Sequence, residues 1–194
     1  MKLAIIKYNA GNIQSVSFSL ERLGVDFIIT DNADEIQKSD KVIFPGVGEA
    51  SSTMNYLRDK KLDEVIVNLK QPVLGICLGM QLMCAYSEEN NTKCLGIFRE
   101  SVKLFISQGD KKVPHMGWNN LTISDSWLTP QLENKYAYFV HSYYVPVNAD
   151  TSAITEYINP FSAAMHKANF YAVQFHPEKS ALTGELVLKS FLDV

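Results

Sequence analysis

Short, uninterrupted apolar runs punctuate the first part of the chain: KLAIIKY, VDFIIT, KVIFPG and VLGI. Runs this short, without polar alternation, predict strands covered on both faces. From Asn12 onward, Ile13, Val16, Leu20 and Leu23 recur at helical spacing, and Gly24 suits the helix end. A short acidic segment between VDFIIT and KVIFPG has room for a further helix. EASSTMNYLRDKKLDEVIVNLK carries helical material in two pieces, stopped by Gln71-Pro72 before VLGI begins the next strand. This β-α-β alternation predicts an α/β fold: an open, mostly parallel sheet flanked by helices.

After about residue 95 the texture changes. IFRESVKLFI, NNLTIS, AYFVHSYYVPV, SAITEYI, SAAMHK and FYAVQF are all strand-like, with little helix between them. Because no flexible linker intervenes, they predict an antiparallel extension of the sheet within a single domain spanning 1–194. A final helix, roughly 184–192, is expected to pack back on that sheet.

Size and composition agree: 194 residues, 46% hydrophobic and 20% charged, suit one substantial globular core. A net charge of -3 and the lack of a basic patch interleaved with aromatics give no support for nucleic-acid binding. No apolar stretch reaches the about 18 residues of a membrane-spanning helix. MKLAIIKYNAGN reads as a first strand, not a signal peptide, since it lacks a long apolar region and a cleavage site. Three cysteines form no even disulfide framework, and with four scattered histidines they give little support for a metal site. A reducing, cytoplasmic setting is the expectation.

One of those thiols stands on a corner. In GICLGMQ, Cys77 lies between a predicted strand and a helix-like pattern, with Gly75 and Gly79 two residues to either side. A strand turning sharply into a helix exposes its corner residue, and glycines at those places relieve backbone crowding. The helix start favours a thiolate, and its N–H groups can bind an oxyanion. Taken alone, the pattern also fits a small buried hydrophobe. Cys84 and Cys94 have no such context and are read as structural.

A nucleophilic cysteine needs a base oriented by a third polar group. QFHPEKS supplies both, since His176 follows a strand and Glu178 lies two residues on, with Pro177 stiffening the loop between. FPGVGEA follows another strand, and Gly46 and Gly48 let the backbone there approach a ligand or flip its peptide planes. N–H groups of Gly46-Val47-Gly48, with that of Leu78, are candidates for an oxyanion site.

In this order, PGVGEA, GICLGMQ, HSYY and QFHPEKS resemble the class I (triad) glutamine amidotransferases over nearly the whole chain. The resemblance implies a flavodoxin-like fold and a Cys77–His176–Glu178 triad that hydrolyses the side-chain amide of glutamine. It implies that Gln81, His141, Ser142, Tyr143 and Gly48 hold the substrate, and that no metal or organic cofactor is required. YNAGNIQSV and KVPHMGWN further resemble the glutaminase subunits of imidazole glycerol phosphate synthases, although Asn9 stands where these commonly have glycine.

That closer resemblance implies a heterodimer with a (β/α)₈-barrel cyclase subunit to which ammonia is channelled. Asn12, Trp118, Tyr138 and Lys179 match positions at the partner interface. It also implies that Gly46-Val47-Gly48 is a switch, pointing a carbonyl at the oxyanion position until partner and ligand act. A glutaminase serving another synthase or a sugar amidotransferase, and a hydrolase of a different amide, remain alternatives.

Overall fold

The computed structural model describes residues 1–8, 13–124 and 127–194, so the motif positions Asn9 and Asn12 lie outside the described residues. Four strands, β1 (Leu3–Ile6), β2 (Phe27–Thr30), β3 (Lys41–Phe44) and β4 (Val73–Ile76), form the parallel half of an eight-stranded sheet in the order β2-β1-β3-β4; all but the edge strand β2 are buried. A fifth parallel strand, Phe170–Val173, pairs with β4. Three antiparallel strands, Pro160–Lys167, Thr151–Glu156 and Thr122–Ile123, extend it. All five parallel strands therefore end on the same edge, where ligands of open α/β sheets bind.

Helices cover both faces. They are α1 (Ile13–Arg22), α2 (Ala33–Gln37), α3 (Ala50–Asp59), α4 (Leu62–Asn68), α5 (Leu78–Met83) and α6 (Ala181–Leu192). Side-chain alternation divides each strand between two cores. Leu3, Ile5, Ile43, Leu74 and Ile76 pack with Val16 and Leu20 of α1 and Val187, Leu188 and Phe191 of α6. Ile6, Val42, Phe44 and Val73 face the opposite side, against Met54, Leu57, Leu62, Ile66, Leu82 and Met83. Gly24 ends α1 with φ at +69°, a left-handed conformation that glycine adopts without strain. No helix among the described residues is long and apolar enough to cross a membrane.

Two expectations need correction. The antiparallel segments do not all extend the main sheet. His115–Asn120 and Tyr136–His141 form a separate two-stranded ribbon, and Tyr143–Tyr144, Ser101–Leu104, Tyr86–Ser87 and Thr92–Lys93 form a small four-stranded sheet. The strand-like runs NNLTIS and AYFVHSYYVPV each change sheets partway, at the buried Leu121 and at Ser142. Alternation identifies a strand but not its partner.

The final helix also begins three residues early, at Ala181, which puts Gly184 inside it. The glycine is needed for packing: a Cβ there would meet the Pro177 carbonyl oxygen at 1.8 Å. α6 thus lies directly against the turn that carries Glu178. Gly184→Ala is expected to cost at least about 2 kcal/mol through overpacking, as measured by urea unfolding. An Ala variant as stable as the parent would overturn this packing argument.

Candidate active site

β4 runs into α5 through Cys77, whose φ of +51° and ψ of -107° place a non-glycine residue in strained backbone space. Such strain survives only where neighbours over-determine the turn, and here they do. A Cβ on Gly79 would lie 2.0 Å from the Phe44 carbonyl oxygen, and one on Gly75 would lie 2.9 Å from the Met83 sulfur and 3.0 Å from Gly79 backbone. The two glycines let α5 settle onto β3 and β4, and the thiol is left 8% exposed at the sheet edge. Cys84 and Cys94 are buried differently: desolvation raises both thiols, Cys94 to about 12.

His176 follows the fifth parallel strand and reaches the same edge. Its Nδ1 lies 2.7 Å from Glu178 Oε1, and both side chains are almost fully buried. Burial alone would lower the imidazole pKa. Hydrogen bonding to Cys77 and Glu178, with their negative charge, outweighs it and raises the value to about 10. A buried carboxylate bonded to Nδ1 fixes the tautomer and ring orientation, leaving the other nitrogen to Cys77.

The glycine loop lies beside the elbow. Gly46 touches it so closely that a Cβ would meet the Gly79 nitrogen at 2.6 Å and Leu78 Cβ at 2.7 Å. Gly48 has φ at +120°, a conformation that L side chains rarely adopt. The Leu78 N–H donates to the Gly46 carbonyl at 3.3 Å, so a carbonyl occupies this oxyanion candidate. Tyr8, just after β1, braces the loop by donating its hydroxyl to the Pro45 carbonyl at 2.5 Å. Burial and the charge of Cys77 raise the phenol pKa, keeping it a donor.

A cavity of about 380 Å³ opens over the thiol. Val47, Gly48, Cys77, Leu78, Gln81, His141, Ser142, Tyr143 and His176 line it, as do Pro114, Val140 and Glu89. Every substrate-binding candidate from the sequence is thus brought to one place. Gln81 Nε2 is committed inward, to the Tyr143 carbonyl and to Gln174 Oε1, each at 2.9 Å, which leaves its carbonyl oxygen for a ligand. Glu89 was not legible in the sequence. Its carboxylate accepts the Ala50 N–H at 2.8 Å and lines the cavity, where burial raises its pKa.

The ribbon of His115–Asn120 and Tyr136–His141 carries two of the candidate interface residues, Trp118 and Tyr138. Trp118 and Tyr138 are register partners with ring centroids 5.9 Å apart, and Lys179 Nζ sits 6.0 Å from the Tyr138 ring. Trp118 is 52% exposed, beside exposed Met116 and Tyr136. The structure brings these three together, while Asn12 lies outside the described residues. Tyr138 is also tied to the buried centre: its carbonyl accepts the His176 N–H at 2.9 Å. Ser180 Oγ bridges the Tyr138 N–H and the His176 carbonyl, at 2.9 Å and 2.7 Å.

The raised imidazole has a thermodynamic sign. His176 binds its proton more tightly folded than unfolded, so its contribution is full below the ordinary value of 6.5 and fades as pH rises through about 10. Urea unfolding at several pH values should therefore show the advantage of the parent over His176→Gln shrinking across that window. A constant difference between them would contradict the protonated imidazole.

The family described as glutamine amidotransferase class-I matches residues 4–193. A protein named imidazole glycerol phosphate synthase subunit HisH from Bacteroides thetaiotaomicron is 59% identical over 196 residues, covering 100% of both chains. One of the same name from Blochmanniella floridana is 46% identical, again covering 100% of both. Among solved structures, a glutamine amidotransferase superposes with a TM-score of 0.75 at 15% identity, over 98% of this chain and 97% of that one. A glutamine amidotransferase from Thermotoga maritima gives 0.61 at 16%, over 100% and 83%. At these low identities the structures speak to the fold alone, but fold and sequence agree: the chain belongs to the class I glutamine amidotransferases.

Proposed function

We propose that this chain is the glutaminase subunit of an imidazole glycerol phosphate synthase, a cytoplasmic single-domain enzyme of histidine biosynthesis. It hydrolyses glutamine and passes ammonia to a (β/α)₈-barrel cyclase subunit, which makes imidazole glycerol phosphate and an aminoimidazole carboxamide ribotide. The observation that carries the glutaminase reading is the buried His176–Glu178 pair beside a thiol held on a strained elbow, opening on one cavity. The full-length identity to relatives named for that synthase supports the client.

The chemistry follows from the geometry. Cys77 attacks the carboxamide carbon as a thiolate, and imidazolium His176 protonates the departing nitrogen, releasing ammonia and leaving a thioester. His176 then takes a proton from water as it attacks that thioester; glutamate leaves, and the sulfur is expelled as the thiolate beside the re-formed imidazolium. Glu178 keeps the imidazole oriented through both half-reactions. Gln81 Oε1 and the Glu89 carboxylate offer acceptors for the ammonium group of the amino acid.

The oxyanion requires a donor where the Gly46 carbonyl now engages the Leu78 N–H. Rotation of the peptide planes across Gly46-Val47-Gly48 would free Leu78 and supply a second N–H, which makes this loop the switch. The Trp118–Tyr138–Lys179 face is the proposed docking surface, and its backbone bonds to His176 support a mechanical connection to the triad.

The deciding assay measures glutamate release by the chain alone and with a cyclase subunit plus its ribotide ligand. Activity is expected to be low alone and to rise strongly with both. Cys77→Ala should reduce it by at least about 10³-fold, in line with loss of a nucleophile. Full activity of the free chain would refute the switch, whereas no stimulation by a competent cyclase from the same organism would refute the client. Trp118→Ala should weaken the pair by roughly 30-fold, the about 2 kcal/mol of an interface hot spot, as read by titration calorimetry. Unchanged affinity would move the interface elsewhere.

A further inference from the structure

Gln174, two residues before His176, is fully buried and has no role in the triad. Its backbone N–H is pinned to the Ala163 carbonyl at 2.8 Å, and its Nε2 lies 3.6 Å from Cys77 Sγ, within reach for a hydrogen bond to sulfur. Whether that group is truly a donor depends on which way the amide is turned, and the surrounding polar chain decides it.

The chain begins at Asn119. The Asn119 side-chain oxygen accepts the Asn120 N–H at 2.9 Å, so its Nδ2 donates, to the Glu156 carbonyl at 2.9 Å and to His115 Nε2 at 3.3 Å. His115 therefore carries its proton on Nδ1 and donates to His141 Nε2 at 3.0 Å. His141 in turn donates from Nδ1 to the Tyr143 carbonyl at 2.8 Å. Both rings are neutral in this arrangement, as burial requires: desolvation lowers them to about 4 and about 3.

The Tyr143 carbonyl can only accept, so Gln81 must present Nε2 to it, and the second Nε2 hydrogen goes to Gln174 Oε1. With its oxygen so occupied, Gln174 is left with only its NH₂ group to turn toward the sulfur. The Tyr143 carbonyl, which accepts from His141 on one side and from Gln81 on the other, fixes the Gln81 amide and through it that of Gln174.

We propose that Gln174 is a further catalytic residue, whose side-chain N–H hydrogen-bonds the Cys77 sulfur, fixes its position and stabilises it as the thiolate. Gln81 acts through it as a positioning residue, in addition to facing the substrate. The assignment rests on Cys77 being the nucleophile. It also supplies the sulfur with a donor at an elbow whose helix is only six residues long and whose first N–H is engaged by Gly46. A neutral donor that stabilises an anion lowers the pH at which the anion forms.

The test is the pH dependence of Cys77 alkylation by iodoacetamide in the full chain, read by mass spectrometry of the Cys77 peptide. Cys84 and Cys94, buried with raised pKa, are poor competitors. Gln174→Met keeps the reach of the side chain without the donor. It should move the alkylation midpoint up by roughly one pH unit, the scale of one hydrogen bond to a charged group. Gln174→Glu, which places an acceptor there, should move it at least as far. A midpoint unchanged in both variants would overturn the proposal.

Should these variants fail to fold, the wild-type chain supplies the answer by NMR. The Gln174 side-chain amide protons should titrate with the alkylation midpoint, and that titration should vanish in Cys77→Ala. Amide signals indifferent to Cys77 would equally overturn it. Wild-type Cys77 that resists alkylation at every pH would instead overturn the nucleophile assignment beneath it.

Discussion

The chemistry of this chain depends on a contact too close for a single methyl group, the approach of Gly79 to the carbonyl oxygen of Phe44. Because α5 can lie directly on the end of β3, the chain leaves β4 at an angle that ordinary backbone geometry resists. Cys77 absorbs that angle with a positive φ. The same contact brings Leu78 against Gly46, so the Cys77 elbow and the Gly46-Val47-Gly48 loop share one wedge of packing. Backbone contact tolerates little adjustment, which is what a site needing sub-ångström placement requires.

Around this wedge, polar groups are buried at a cost that only complete pairing offsets. His176 is held charged by Glu178 and Cys77, whereas His115 and His141 are held neutral by burial. Similar side chains, close together, thus take opposite charge states according to their surroundings. The ribbon carrying Trp118 and Tyr138 meets both systems, through the Tyr138 carbonyl on His176 and through His115 and His141 themselves. The exposed face of the ribbon is thus joined to the cavity by one strand and by its backbone hydrogen bond to His176.

Much of the fold and most of the site were legible in the sequence. The four apolar runs appear as β1 to β4: three are buried parallel strands, which have no alternative composition, and β2 is the half-exposed edge. The elbow announced itself by glycines flanking a cysteine, and the buried His176–Glu178 pair by a histidine and a glutamate separated by a proline. These are local signals: each depends on what the backbone can do within a few residues. Gly184 misled for a related reason, since glycine at a helix start and glycine under a close contact look alike.

What only the tertiary structure decided is everything that depends on partners distant in sequence. No local pattern says that NNLTIS divides between two sheets, that Tyr8 braces Pro45, or that Glu89 reaches the cavity. Gln174 is the clearest case. Beside HPE it reads as one more strand residue, and its meaning comes from a thiol 97 positions earlier and a glutamine 93 positions earlier. The sequence by itself determined which groups could carry the chemistry, because that follows from residue type and local turn geometry. Their hydrogen-bond directions and charge states were decided by the fold, because those arise from burial and from which acceptor is brought within reach.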